Sequence, residues 1–484
     1  MKIRPSIRIP ILAAALSLTG CMSVGPDYQR PAAPTPQRYK ELGDWKPIEP
    51  RPAASDLAWW TIYNDSKLDE LERQVAVSNE SLKASEANYR QALELVNEAR
   101  AGYWPTVSAN ASGQRARVES SPPGSHFVYN QVNPNLGASW APDIWGKIRR
   151  TVESSRASAQ ASGADLAAAR LSLQTTLATD YFALRIDDEL KHLYEETVKA
   201  YEATLEITRN QFEAGTAAET DVITAETQLQ GEQAQLIGIG VQRAQLEHAI
   251  AVLIGKTPDQ FSIEPATFSR AVPVVPAGVP SALLERRPDI AAAERAAAAA
   301  SAQIGVAIAA YFPSISLTGT AGFSGSELSG LFAAANYVWA AGAQASELLF
   351  DAGLRSAQVG AARATYDASV ASYRQTVLSA FQQVEDEIAA LRILEQEEEV
   401  LKRTVESARQ AVQLTIYQYE AGTVAYTAVV TVQAIALADE QNLLTTLGNE
   451  FGASVALVSA LGGGWNSAML AEEGATTPAG GAVH

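Results

Sequence analysis

The chain has 484 residues, with 54 acidic against 37 basic side chains and a net charge of −17. That balance excludes a nucleic-acid binder, because a polyanion is held by clustered lysine and arginine. A single cysteine, Cys21, excludes an internal disulfide framework and any multi-cysteine metal site.

The first twenty residues read as an export leader. Lys2, Arg4 and Arg8 precede a short apolar run, Ile9 to Leu18, too short to cross a bilayer as a mature helix. The run ends Leu18-Thr19-Gly20-Cys21, which resembles the lipobox of bacterial lipoproteins. In that motif small residues let the peptidase draw in an extended backbone, and the cysteine thiolate accepts a diacylglycerol. The resemblance implies cleavage after residue 20, a covalent lipid on Cys21 and a shift of net charge from −17 to −20. Met22-Ser23 brings no acidic residue, which by resemblance to lipoprotein sorting favours the outer membrane. Residues 21–55 then form an extended, lipid-anchored segment. No later stretch of about 18 consecutive apolar residues exists, so any membrane span must be a β-barrel.

Beyond the anchor the chain reads twice. Gln211-Phe212-Glu213-Ala214-Gly215-Thr216 returns as Gln418-Tyr419-Glu420-Ala421-Gly422-Thr423 at an offset of 207. Tyr103-Trp104-Pro105 matches Tyr311-Phe312-Pro313 at 208. An offset held over some two hundred residues indicates a duplicated structural unit. The first repeat covers 56–270, with strands within 105–142 and a long helix over 145–214. A proline-rich linker, 271–288, leads to the second repeat, 289–466, with strands within 313–350 and a long helix over 351–421. Residues 467–484, rich in Ala, Gly and Thr, read as a disordered tail.

Each repeat changes period along its length. Val107, Ala109 and Ala111 alternate with Thr106, Ser108, Asn110 and Ser112. Leu136, Ala138 and Trp140 alternate with Asn135 and Ser139, and Ile315, Leu317, Ala321 and Phe323 with Ser314, Ser316, Thr318 and Thr320. A fourth candidate strand lies within Asn336 to Phe350. Alternation of apolar and small polar residues fits strands of a membrane barrel, and equally an edge hairpin on a soluble domain. The period then becomes 3.6. Leu173, Leu177, Tyr181 and Leu184 fall on one helical face, as do Tyr201, Leu205, Thr208 and Phe212. In the second repeat Tyr366, Val370, Tyr373, Val377, Phe381, Val384, Ile388 and Leu391 do the same. No proline interrupts either segment, so each is read as one helix of about 70 residues, about 100 Å long. The stripes are a coiled-coil core. Gly215 and Gly422 follow the long helices, where a tight turn needs a left-handed residue.

Four strands cannot close a barrel, and open edges are not tolerated in lipid. The chain must pool strands with copies of itself: two copies give eight strands filled by side chains, three give twelve and a lumen. Sequence alone leaves that choice open. Catalytic motifs are absent. His126, His192, His248 and His484 lack metal-site spacing, and Gly462-Gly463-Gly464 is followed by Trp465 rather than by a P-loop lysine. Asp187-Asp188 and Glu397-Glu398-Glu399 read as parts of a solvated helix face.

Several motifs in order carry a family resemblance. They are Val24-Gly25-Pro26-Asp27-Tyr28-Gln29-Arg30-Pro31, Trp59-Trp60 with Asn64-Asp65, Leu283-Leu284-Glu285-Arg286-Arg287-Pro288-Asp289-Ile290, and the two Glu-Ala-Gly-Thr turns. The chain resembles TolC/OprM-type outer-membrane efflux proteins, in the lipoprotein (NodT-like) branch that serves RND pumps. The resemblance implies an α+β channel: a homotrimer with a 12-stranded β-barrel in outer-membrane lipid and a long antiparallel α-helical coiled-coil barrel in the periplasm. It implies docking of a periplasmic adaptor protein at Ala214, Gly215, Thr216, Ala421, Gly422 and Thr423, with an inner-membrane RND transporter supplying the energy. The implied gate comprises Glu219, Asp221, Val424, Tyr426 and Val429. Members of this type often carry acidic residues where this chain has Val424 and Thr431, so an apolar gate is expected here. The resemblance implies no enzyme activity, no metal and no cofactor besides the lipid on Cys21. The alternatives are an exit duct for protein secretion and a structural lipoprotein without a pore.

Overall fold

The computed structural model describes residues 23–42, 58–276, 278 and 280–470. The leader, Cys21 and most of the expected tail lie outside the described residues. Strands are β1 (Thr106–Ser120), β2 (Ser125–Trp140), β3 (Ser314–Phe323) and β4 (Tyr337–Ser346). Helices are α1 (Ser66–Ser78), α2 (Glu80–Ala101), α3 (Lys147–Glu213), α4 (Glu219–Leu253), the single turn α5 (Leu283–Arg286), α6 (Pro288–Ala309), α7 (Leu354–Glu420) and α8 (Tyr426–Ala460). α3 and α7 have 67 residues each, and α4 and α8 have 35 each. Both pairs begin and end 207 residues apart. The chain divides into two compact units, and each repeat contributes to both.

The first unit holds the sheet. Its order is β1-β2-β3-β4, every neighbour antiparallel. Register sorts the side chains by face. The rows Val107–Ala138–Gly319–Ala341 and Ala109–Leu136–Ala321–Trp339 are apolar. The alternate rows, Thr106–Ser139–Thr318–Gly342 and Ser108–Gly137–Thr320–Ala340, are small and mostly polar. All ten residues of β4 are exposed, and nearly all of β1 is, so among the described residues neither face of these strands is covered. Pro134, which has no amide to donate, sits one residue past the last β2–β3 pair.

Aromatic rings gather at both ends of the sheet. At one end Phe323 lies 5.2 Å from Phe332 and 5.8 Å from Tyr337. At the other, the Trp140 indole donates to the Tyr103 carbonyl at 2.9 Å, and Trp145 stacks on Phe312 at 4.9 Å. There α3 starts, its first amides at Ile148 and Arg149 donating to the Asp143 carboxylate at 2.8 and 2.9 Å. The described segment that begins at Ser23 packs here too. Gly25 leaves no room for a side chain, since a Cβ would meet the Gly305 backbone at 2.5 Å. The Asp27 carboxylate pairs with Arg150 at 2.8 Å, and the Tyr28 hydroxyl donates to Glu294 at 2.5 Å.

The second unit has an aromatic and ionic core. Tyr63, Phe182, Phe268 and Phe451 pack with ring centroids 4.5–5.3 Å apart along the chain Tyr63–Phe182–Phe451–Phe268, the Phe182–Phe451 pair stacked and the other two tilted. Asp65 caps α1 and also accepts from the Tyr181 hydroxyl at 2.8 Å. Leu177, Tyr181 and Leu184 of α3, and Val377, Val384 and Ile388 of α7, are buried at helical spacing. Ser467, at the start of the expected tail, donates its amide to the Glu285 carbonyl at 2.8 Å.

One expectation is corrected. Asp187 and Asp188 are buried, not solvated. Asp188 receives Arg185 at 2.9 Å and Arg243 at 2.7 Å, and Arg243 also pairs with Glu247 at 2.7 Å. Two arginines and a backbone amide satisfy a charge that would otherwise be expelled from the core.

Candidate functional site: the paired helical turns

The two interhelical turns share one hydrogen-bond plan, the Schellman closure. Gly215 N–H donates to the Phe212 carbonyl and Thr216 N–H to the Gln211 carbonyl, both at 2.9 Å. In the second turn Gly422 N–H donates to Tyr419 and Thr423 N–H to Gln418, again both at 2.9 Å. Each threonine hydroxyl donates to the same carbonyl as its own amide, at 3.0 Å and 2.8 Å. Ala214 and Ala421 close the last helical turn on Asn210 and Tyr417. φ is +74° at Gly215 and +70° at Gly422, and a Cβ at either would meet nothing within 4 Å. Backbone conformation alone, not crowding, calls for glycine. All six residues from Ala214 to Thr216 and from Ala421 to Thr423 are exposed.

After the turns the repeats part. Glu219 is exposed, and the half-buried Asp221 accepts from the Ala218 amide at 3.3 Å. Both carboxylates suit the positive end of the α4 dipole. At the start of α8 the side chains are apolar or phenolic instead. Tyr426 and Val429 are buried with Leu205, Ala225 and Tyr419, and Val424 packs against that cluster from its edge. All four long helices supply members, so the two hairpins of one chain are joined here. The Tyr419 and Tyr426 rings lie 5.5 Å apart. Thr431, which replaces the acidic residue of the resembled pattern, is exposed and donates back to the Thr427 carbonyl at 2.8 Å.

A polar seam runs beside the cluster. The Tyr426 hydroxyl donates to the Gln228 amide oxygen at 3.4 Å, and Gln228 donates to Gln433 at 3.4 Å. Gln433 donates to the Thr204 hydroxyl at 3.1 Å, and the Tyr419 hydroxyl to Thr208 at 3.3 Å. Burial first, then Tyr419, Tyr201 and Asp221, pushes the Tyr426 phenol up to about 12. It is therefore a neutral donor throughout the physiological range.

A profile described as outer membrane efflux protein matches residues 71–256 and again 279–463. The chain belongs to the outer membrane efflux protein family. The toluene efflux pump outer membrane protein TtgC of Pseudomonas putida is 30% identical over 462 residues, covering 94% of this chain and 95% of TtgC. The solvent efflux pump outer membrane protein SrpC of Pseudomonas putida is 32% identical over 463 residues, covering 94% and 97%. Among solved structures, the outer-membrane channel OprN superimposes with a TM-score of 0.85 at 28% identity, covering 92% of this chain and 99% of that one.

In this outer membrane efflux protein the structure brings Val424, Tyr426 and Val429 together and leaves Glu219 apart on the surface. Sequence reasoning placed Thr208 on the apolar stripe but missed the seam of Gln228, Gln433 and Thr204 beside it. A signal existed: at the offset of 207, Gln433 replaces Glu226 and Tyr426 replaces Glu219. A duplicated helix that trades carboxylates for neutral groups is turning that face inward.

Proposed function

We propose that the chain is the outer-membrane exit duct of a tripartite RND-type efflux pump, passing drugs or other small molecules from the periplasm to the exterior. The sheet carries this reading. It has one apolar and one small polar face, and β1 and β4 are both open edges. Unpaired backbone groups in hydrocarbon are costly, so the strands must be completed by other copies. With β4 of one copy beside β1 of the next, three copies close a barrel of about twelve strands, wide enough for a lumen lined by Thr106, Ser108, Thr318 and Thr320. The names of TtgC and SrpC, efflux pump proteins for toluene and solvent, support small apolar cargo.

Within that duct the exposed turns at Ala214–Thr216 and Ala421–Thr423 dock the periplasmic adaptor, whose inner-membrane RND transporter does the energised work. The entrance closes through Val424, Tyr426, Val429 and the glutamine seam, with Glu219 and Asp221 as the acidic rim; adaptor binding pulls the two hairpins apart. Cys21 carries the lipid. Substrates diffuse through a wet, net-negative passage, and no covalent step is involved. Purified full chain in planar bilayers should give discrete, cation-preferring channels, and native mass spectrometry should give three copies. A chain that forms no channels, or that remains a monomer in detergent, sinks the reading. Intact mass should exceed that of the polypeptide from Cys21 by a diacylglycerol and an acyl group, and Cys21→Ala should remove the excess.

A further inference from the structure

The β1–β2 hairpin outruns the sheet it belongs to. β3 and β4 pair only as far as Phe323–Tyr337, whereas β1 and β2 stay in register to Ser120–Ser125. Up the apolar face, the row Ala111–Pro134 is followed by Gly113–Val132, then Arg115–Asn130 and Arg117–Val128. The other face changes in the opposite sense. Ser108, Asn110, Ser112 and Gln114 give way to Ala116 opposite Tyr129 and Val118 opposite Phe127, whose two rings lie 6.0 Å apart. No slip or bulge interrupts the pairing, so polarity inverts in the sequence while each strand keeps its faces.

The aromatic rings fix the level at which this happens. Phe323, Phe332 and Tyr337 cluster beside the Ala111–Pro134 row, and aromatic girdles mark the border between hydrocarbon and headgroups. The long helices leave from the other end of the sheet, so this border is the outer one. Arg115 and Arg117 lie four and six residues further on, about 10 and 15 Å above the border for strands tilted by about 40°. Arginine side chains reach back along an apolar surface, which brings both guanidinium groups into the headgroup layer. They are the only lysine or arginine residues in the four strands, and both are exposed. Glu119, the acid nearest in sequence, accepts from the Gly124 amide at 3.2 Å inside the hairpin turn.

We infer that Arg115 and Arg117 bind the phosphate groups of outer-leaflet lipids, holding the barrel rim in the polar layer of the membrane. The inference rests on the barrel reading above, which sets the apolar face toward lipid. A basic pair on a chain of net charge −17 runs against its general trend, and two forked donors one row apart suit phosphate oxygens. Three copies place six such groups around the rim.

The test compares bisphosphorylated lipid A with its phosphate-free analogue, bound to the purified full chain and followed by native mass spectrometry. The phosphorylated lipid should be retained preferentially. R115Q/R117Q should weaken that binding by about 10- to 30-fold, at about one order of magnitude or less per guanidinium, and R115K/R117K should restore most of it. Equal retention of the two lipids by the unmodified chain, or unchanged affinity in R115Q/R117Q, overturns the inference. Planar-bilayer conductance separates the two failures. Normal channels with unchanged lipid affinity overturn only the lipid site, whereas an unmodified chain without channels overturns the barrel on which it stands.

Discussion

The two repeats are the same object built twice and then specialised. Their long helices match in length, their turns share the bonds that close them on Gln211 and Phe212 and on Gln418 and Tyr419, and φ at Gly215 and Gly422 differs by only a few degrees. Their side chains at those turns do not match. Phe212 is 44% exposed, while its counterpart Tyr419 is 4% exposed. The same divergence recurs further along the hairpins. Arg243 of α4 neutralises the buried Asp188, but the position 207 residues later holds Glu450, which faces Glu398 and Glu395. Two identical hairpins would present identical faces, and nothing would distinguish inside from outside. Duplication supplied the backbone, and divergence gave it a buried side.

The comparison can be broken at the tip. Tyr426→Ala removes a buried ring from the four-helix cluster and should weaken local stability by about 3–5 kcal/mol. Glu219→Ala, the same position in the other repeat, is an exposed change and should cost about 0.5 kcal/mol or less. Hydrogen exchange in the first turns of α8 and α4 would show it. Equal protection losses in the two variants would mean that the repeats are not specialised as described.

Next in size is the buried ion cluster. Arg243→Ala leaves Asp188 with Arg185 and the Ala266 amide and should cost about 2–3 kcal/mol, the range for a lost charged hydrogen bond. The counterpart change Glu450→Ala removes an unneeded charge and should cost less, even though it shortens a buried side chain. If thermal unfolding ranks them the other way, Asp188 does not depend on Arg243.

Below these lies a test of sameness. Gly215→Ala and Gly422→Ala each force a Cβ into a left-handed turn with no neighbour to clash, for about 1–2 kcal/mol apiece. The two penalties should agree within about 0.5 kcal/mol by exchange at the preceding helix ends. A large inequality would mean that the turns differ in backbone and not only in side chains.

These contrasts also show what sequence can carry. The offset of 207, the apolar stripes and the absence of proline made the two 67-residue helices legible, because a helix reports itself locally through its period. The lower halves of the strands were legible for the same reason. The upper halves of β1 and β2 were not: alternation inverts at Gly113, and Pro134 argues against a strand, so a rule seeking one apolar face stops there. Asp187 and Asp188 misled because burial was read from apolarity alone, while their partner Arg243 lies on another helix. The seam through Gln228 and Gln433 was hidden likewise, since an amide signals nothing until its distant partner is known.

The last predicted effect concerns acidity and follows from the exchange of Arg243 for Glu450. Burial first, then Glu398 and Glu395 against the opposing pull of Lys402, raises the Glu450 carboxyl to about 7. In the unfolded chain it titrates near 4.3. Between those values the folded state holds a proton that the unfolded state has released, so stability falls as pH rises through this window and is level above it. Glu450→Gln carries no such proton and loses this slope. Below about pH 4 both proteins should therefore unfold alike, and the variant's advantage should grow to about 2–4 °C by pH 8. Asp187, raised to about 6 by burial and by Asp188, titrates in the same sense in both proteins and cancels in the difference. Parallel curves of unfolding temperature against pH would show that Glu450 is already neutralised, in the assembled protein, by a group supplied from another copy. Its raised pKa would then belong to the single chain and not to the channel.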